Sequence, residues 1–155
     1  FLAAAVVGVF EGTISQVTAL AVFMPVVAGQ AGNAGAQALA ITMRGLALRE
    51  IGVRAMWQVA GKEVRAGMLN GVAVAAVVAG VVYAFGGSPG LILVLVLAMI
   101  LSLAAAGLAG AVIPVALTRL GQDPAQSSSI FLTTVTDVVG FLSFLGIATL
   151  LLEWL

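Results

Sequence analysis

The feature that most constrains this chain is residues 91–118, which contain no charged side chain. As a helix this stretch is about 40 Å long, more than the roughly 30 Å hydrocarbon core of a bilayer. Only 8% of the 155 residues are charged and 63% are hydrophobic, whereas about 25% of a soluble domain is charged. A soluble domain of this size could not bury so much apolar surface. The sequence therefore predicts an all-α integral membrane protein.

Apolar periodic segments and turn signals divide the chain into five predicted transmembrane helices, at residues 1–10, 17–48, 64–85, 91–120 and 125–152. The first segment is only about 15 Å long as a helix, so we expect it to be the end of a span that begins upstream. Glycine and proline in the other connections favour tight turns between neighbouring helices. Residues 1–155 are thus expected to form one transmembrane domain, with no room for a separate extramembrane domain.

The basic residues predict the orientation of these helices. Five of the six lie between the second and third segments and one lies between the fourth and fifth: Arg44, Arg49, Arg54, Lys62, Arg65 and then Arg119. Because Lys and Arg are enriched in cytoplasmic loops, both connections are expected in the cytoplasm. Glu11, the turn at residues 86–90 and the C-terminal Glu153 and Trp154 are then expected outside.

Several functional classes are disfavoured by composition. The chain has no Cys and no His, so a zinc site, a thiol nucleophile or a Ser/His/Asp triad of the usual kind cannot be assembled from it. The formal net charge is zero, and no basic patch indicates nucleic-acid binding. We expect neither an enzyme nor a nucleic-acid partner.

Asp137 is the only ionisable residue in the interior of a predicted span. It lies about 18 Å from the start and about 22 Å from the end of the fifth segment, near the bilayer midplane. A charge at that depth costs at least about 2.5 to 3.5 kcal/mol, so the carboxylate needs a bound ion, water or a partner. No Lys, Arg or His lies at that depth to pair with it. A protonated Asp137 in a helix–helix hydrogen bond remains the structural alternative.

Polar residues recur at helical spacing in two segments. On the fifth, Ser129 and Thr133 precede Asp137 at i, i+4 and i+8. On the second, the matching i, i+4 series contains Pro25, Gly29, Asn33 and Gln37 but not Gln30. Hydroxyls that bond back to the i−4 carbonyl and glycines that permit close helix packing are the structural alternatives. Asp137 and the two amides favour instead a water-filled or ion-facing wall between the two helices.

These motifs resemble the MgtE family of magnesium channels. The resemblance rests on PVVAGQAGNAGAQ at residues 25–37 with RGLAL at 44–48, KE at 62–63, AVIP at 111–114 with RLGQDPA at 119–125, and TTVTDVVG at 133–140. It implies a homodimer with five helices per subunit and a Mg²⁺-selective pore between the subunits, lined by the second and fifth helices. Asp137 then corresponds to the family's pore aspartate. Members typically carry soluble helical and CBS domains before this region, and this chain contains neither.

The expected function is that of a Mg²⁺-selective channel, in a bacterial-type inner membrane, that passes hydrated divalent cations. Asp137 from each subunit would hold the ion, because Mg²⁺ is usually bound by one or two carboxylates and keeps several waters. The other expected site residues, which would accept hydrogen bonds from those waters, are Thr133, Asn33, Gly29 and Ser129. A carrier coupled to H⁺ or Na⁺ through Asp137 and a non-transporting structural subunit remain the alternatives. The ranking among Mg²⁺ and other divalent cations stays open.

Overall fold

The computed structural model describes residues 1–50 and 55–155, which are helical and contain no strand within those ranges. In chain order the elements are α1 (Leu2–Val9), α2 (Glu11–Gln16), α3 (Ala19–Ala47), α4 (Met56–Ala84), α5 (Pro89–Arg119), α6 (Pro124–Leu150) and a final 3₁₀ turn (Leu152–Trp154). Four of these, α3 to α6, are long and apolar enough to cross a membrane. The predicted all-α membrane architecture is confirmed.

The N-terminal region differs from the sequence expectation in one detail. The predicted first segment is present as α1, but a second short helix, α2, follows it after a break at Phe10, where φ is −103°. The Thr13 hydroxyl lies 2.8 Å from the Thr149 hydroxyl and joins α2 to the end of α6. The two short helices therefore lie along α6, which also carries Asp137.

Helix α4 begins eight residues earlier than expected, at Met56 instead of residue 64. Charged residues mark a membrane boundary but do not end a helix, because Lys, Glu and Arg are good helix formers. Lys62, Glu63 and Arg65 are consequently helical, while Arg54 lies outside the described residues. Glu63 lies about 10 Å along α4, inside a candidate span. The expectation that Asp137 is the only ionisable residue in the interior of a span stays a prediction.

Helix α5 is the centre of the bundle, because it packs against α3, α4 and α6. It supplies many fully or nearly fully buried apolar side chains, among them Val94, Leu95, Met99 and Leu103. The turn before it is the predicted one: Gly86 has a φ of +75°, and the Ser88 hydroxyl accepts a hydrogen bond from the Leu91 amide at 3.1 Å. This tight connection makes α4 and α5 antiparallel neighbours.

Glycines allow the backbones of α4 and α5 to come into direct contact. A Cβ at Gly67 would overlap the Leu103 carbonyl group, and one at Gly71 would lie 2.8 Å from the Ile100 Cα atom. The colliding atoms belong to the backbone, so a rotamer change cannot relieve the overlap. By contrast, a Cβ at Gly80 on the same helix meets nothing within 4 Å.

We predict that Gly67→Ala destabilises the bundle and that Gly80→Ala does not. Overpacking of this kind costs about 1 to 3 kcal/mol, whereas alanine at an open helical position gains up to about 1 kcal/mol over glycine. Thermal melting of the purified variants in detergent measures the difference. Equal melting temperatures would mean that the close contact between α4 and α5 is not required.

Candidate cation site on α3 and α6

Helices α3 and α6 are antiparallel and closely packed. Their contacts show which residues of α3 lie at the same height along the bundle as Asp137. A Cβ at Gly35 would lie 3.0 Å from Leu132 Cδ1, and one at Gly140 would lie 3.9 Å from the Ala28 Cα atom. Residue numbers therefore rise along α3 as they fall along α6. Asp137 is consequently level with residues 29–33 of α3.

Asp137 lies half-buried in a recess of about 250 Å³. Thr133 and Thr134 line the recess beside it, together with residues 1–3 at the start of α1. Thr133 and Ser129 are exposed on the outer surface of the subunit. Two members of the predicted stripe, Ser129 and Thr133, are thus exposed, while Asp137 is partly covered by the start of α1.

The threonine hydroxyls on α6 bond back to the helix. Thr133 Oγ1 donates to the Ser129 carbonyl at 2.8 Å, and Thr134 Oγ1 donates to the Ile130 carbonyl at 2.9 Å. The alternative of back-bonding is therefore correct for Thr133. It does not remove a role in ion binding, since each hydroxyl oxygen keeps lone pairs that can accept hydrogen bonds. The stripe with Asp137 thus offers acceptors, which suit a ligand whose surface consists of donors.

A metal ion in this recess would meet few direct ligands from one chain. Within residues 1–50 and 55–155 no group of three or more His, Cys, Asp or Glu side chains could hold a metal. Such a site does not suit a tightly chelated metal such as structural zinc, which takes four protein ligands. It does suit a cation that keeps its water and needs one or two carboxylates, as Mg²⁺ does.

The expected residues of α3 divide between two surfaces. Gly29 is exposed, and a Cβ there would meet nothing within 4 Å. Asn33 and Gln37 line a different recess, of about 220 Å³, with Asn70 of α4. Gln30 lines that recess as well, although its spacing places it outside the predicted face. Within one subunit, the structure therefore brings the two amides together with α4 and not with Asp137.

Sequence reasoning missed Asn70 and Glu63 as polar residues of this region. The expected transmembrane segment began at residue 64, so Glu63 was named only in the KE motif at the start of that helix, and Asn70 was not singled out. Their spacing of i and i+7 puts both on one face of a helix once the helix is known to begin at Met56. A search for polar residues at helical spacing across the predicted boundary would have found both.

A family model described as a divalent cation transporter, MgtE, matches residues 24–147. This chain belongs to the MgtE family. Three relatives named magnesium transporter MgtE align with nearly all of it: the Thermus thermophilus protein is 40% identical over 93% of this chain, the Bacillus subtilis protein 33% over 96%, and the Enterococcus faecalis protein 32% over 97%. The alignments cover 32% to 33% of those relatives. The chain thus spans about a third of the length of these MgtE proteins.

The open face of α6 in this MgtE chain predicts water at Thr133. We expect Thr133→Cys to react with a charged, membrane-impermeant thiol reagent, because the reactive thiolate forms only where water is present. Val135→Cys is the control, since Val135 is 38% exposed but lies about 160° around the helix from Asp137. The chain has no native Cys, so labelling can be read directly by mass shift. Equal labelling at both positions would contradict a wet face.

Proposed function

We propose that this chain forms a Mg²⁺-selective channel in which a hydrated ion passes Asp137. The observation that carries the proposal is the half-buried carboxylate on an open, acceptor-rich face of a candidate membrane span. A carboxylate at membrane depth is costly unless an ion, water or a partner compensates it. The matched family, described as divalent cation transporters, and the three relatives named magnesium transporters support Mg²⁺ as the compensating ion.

The ion is proposed to keep its water shell at Asp137. Mg²⁺ loses water reluctantly, and its bound waters point hydrogen atoms outward. Asp137, the back-bonded Thr133 and the carbonyl groups near Gly29 present acceptors toward such a shell, and Ser129 extends this face by one turn. Binding through water is weaker than direct coordination, and an ion held this way can leave the site again, as conduction requires.

The functional unit is proposed to be a homodimer. In one subunit the Asp137 stripe and the exposed Gly29 lie on the outside, where lipid would meet polar groups. A second copy related by a two-fold axis covers this face and supplies a second carboxylate. The orientation from the basic residues, with the C-terminus outside a bacterial-type inner membrane, is part of the same proposal.

The proposal predicts that Asp137→Asn loses Mg²⁺ selectivity over monovalent cations while a pore remains. The amide keeps the size of the carboxylate but removes its charge, and a divalent ion depends on that charge twice as strongly as a monovalent one. Flux into liposomes with Mg²⁺ and K⁺ indicators measures the ratio. Glu153→Gln, an exposed carboxylate near the end of the chain, is the control and should keep the native ratio.

Two results of that experiment would contradict the proposal. Native selectivity in Asp137→Asn would remove Asp137 from the ion path. Mg²⁺ flux by the native protein in fixed stoichiometry with H⁺ or Na⁺ counterflow would replace the channel with a coupled carrier.

The dimer predicts a cross-link across the covered face. Ala36 lies on the same exposed side of α3 as Gly29, so Ala36→Cys should form a disulfide-linked or reagent-linked dimer in native membranes. Val77→Cys, 67% exposed on α4, is the control and should remain a monomer on a denaturing gel. The dimer would be contradicted if the Ala36→Cys protein ran only as a monomer after cross-linking and kept full transport activity.

A further inference from the structure

A second polar groove separates α3 from α4. Both helices pack against α5, but they make little contact with each other. Two recesses of about 220 and 80 Å³ lie along this gap and share Ala34, Gln37 and Asn70. Leu103 and Gly107 of α5 line them from below. None of these residues lines the recess of Asp137.

The groove is polar along its length. Its polar side chains are Gln30, Asn33, Gln37 and Asn70, with Glu63 at one end. In the part of the chain that the structure describes, none of the five forms a side-chain hydrogen bond or an ion pair. Four amides and a carboxylate on two candidate membrane spans thus have no partner within the subunit. They need water or a polar ligand, because lipid cannot satisfy them.

Packing against α5 holds Glu63 at the groove. A Cβ at Gly107 would overlap the Glu63 carbonyl group and would lie 3.5 Å from the Val64 amide nitrogen, so the α4 backbone rests directly on α5 at this turn. The neighbouring cations do not neutralise Glu63: Lys62 and Arg65 are exposed and line neither recess. The carboxylate therefore brings an uncompensated negative charge into the groove.

We infer that this groove binds a hydrated divalent cation at a site separate from Asp137. Glu63 supplies the charge, and the side-chain oxygens of Gln37 and Asn70 accept hydrogen bonds from the bound waters. Glu63 lines the smaller recess of about 80 Å³, which shares Gln37 and Asn70 with the recess of about 220 Å³, so waters on the ion can extend from the carboxylate into the larger space. A single carboxylate with retained water is an ordinary arrangement for Mg²⁺. The inference does not depend on the proposed role of Asp137.

Binding of Mn²⁺, a paramagnetic divalent ion, tests the site. The protein is placed in lipid nanodiscs with Asp137→Asn in the background, and free Mn²⁺ is titrated by electron paramagnetic resonance. Adding Glu63→Gln should weaken the affinity for one Mn²⁺ per subunit by about ten- to a hundredfold, the size of effect seen when a group that supports a metal is removed. Glu50→Gln is the matched control, because Glu50 is an exposed carboxylate close before α4 in sequence and lines neither recess.

The outcomes separate this site from the proposed pore. Equal Mn²⁺ affinity in Glu63→Gln and Glu50→Gln overturns the inference. The groove would then be covered by a second copy or filled by water alone. If Glu63→Gln fails to assemble, Asn70→Ala decides: weaker binding of one Mn²⁺ supports the site, and unchanged binding overturns it. Loss of Mg²⁺ selectivity in Asp137→Asn alone is a separate result, so either proposal can fail without the other.

Discussion

Direct backbone contact with α5 is the constraint on which the rest of the structure depends. A Cβ at Gly110 would lie 2.6 Å from the Gly35 carbonyl oxygen and 2.8 Å from the Leu39 amide nitrogen, so α3 touches α5 without an intervening side chain. Helices in lipid gain no hydrophobic driving force from association, and close packing through small residues takes its place. Because α5 meets α4 in the same way at Gly107, it fixes which faces of its neighbours turn inward. Their remaining faces necessarily turn outward.

Several polar residues of α3 and α6 lie on those outward faces. Helix α3 turns Val27 and Ala31 into the core, both with no exposed surface, whereas Gly29, Asn33 and Gln37 are exposed. Helix α6 buries Leu145 and leaves Thr133 exposed. Large apolar side chains cover other parts of the outside, but a subunit that meets only lipid would not carry polar residues at these exposed positions of its membrane spans. The bundle is therefore better suited to assembly around water than to isolation in a bilayer.

Much of this could be predicted from sequence, but not which surface of each helix meets which neighbour. Long uncharged segments and the glycine-rich turn at residues 86–90 were sufficient for the four helices that can cross a membrane and for the α4–α5 pairing, while the remaining predicted segment, residues 1–10, is present only as the short helix α1. The stripe leading to Asp137 followed from spacing alone. What spacing could not supply is which neighbour a face meets: Asn33 and Gln37 share a helix with Gly29, yet they line a recess with Asn70. The i+4 series also drifts by about 40° per step around a helix, so a row of four residues covers two surfaces.

That drift of the i+4 series determines which neighbour each part of α3 faces. The exposed Gly29 of α3 lies at the same height as Asp137. The row of residues that starts at Gly29 then turns toward α4 and reaches Gln37 in the groove beside Glu63. The groove beside Glu63 is lined by α3, α4 and α5, whereas the recess of Asp137 is lined by α6 and the start of α1, so each recess has a single carboxylate from a different helix. Two like charges in separate recesses can hold separate cations without sharing a ligand, and a cation in one recess weakens binding in the other only through screened repulsion. A change at Gln37 of α3 would therefore act on the groove, because Gln37 does not line the recess of Asp137.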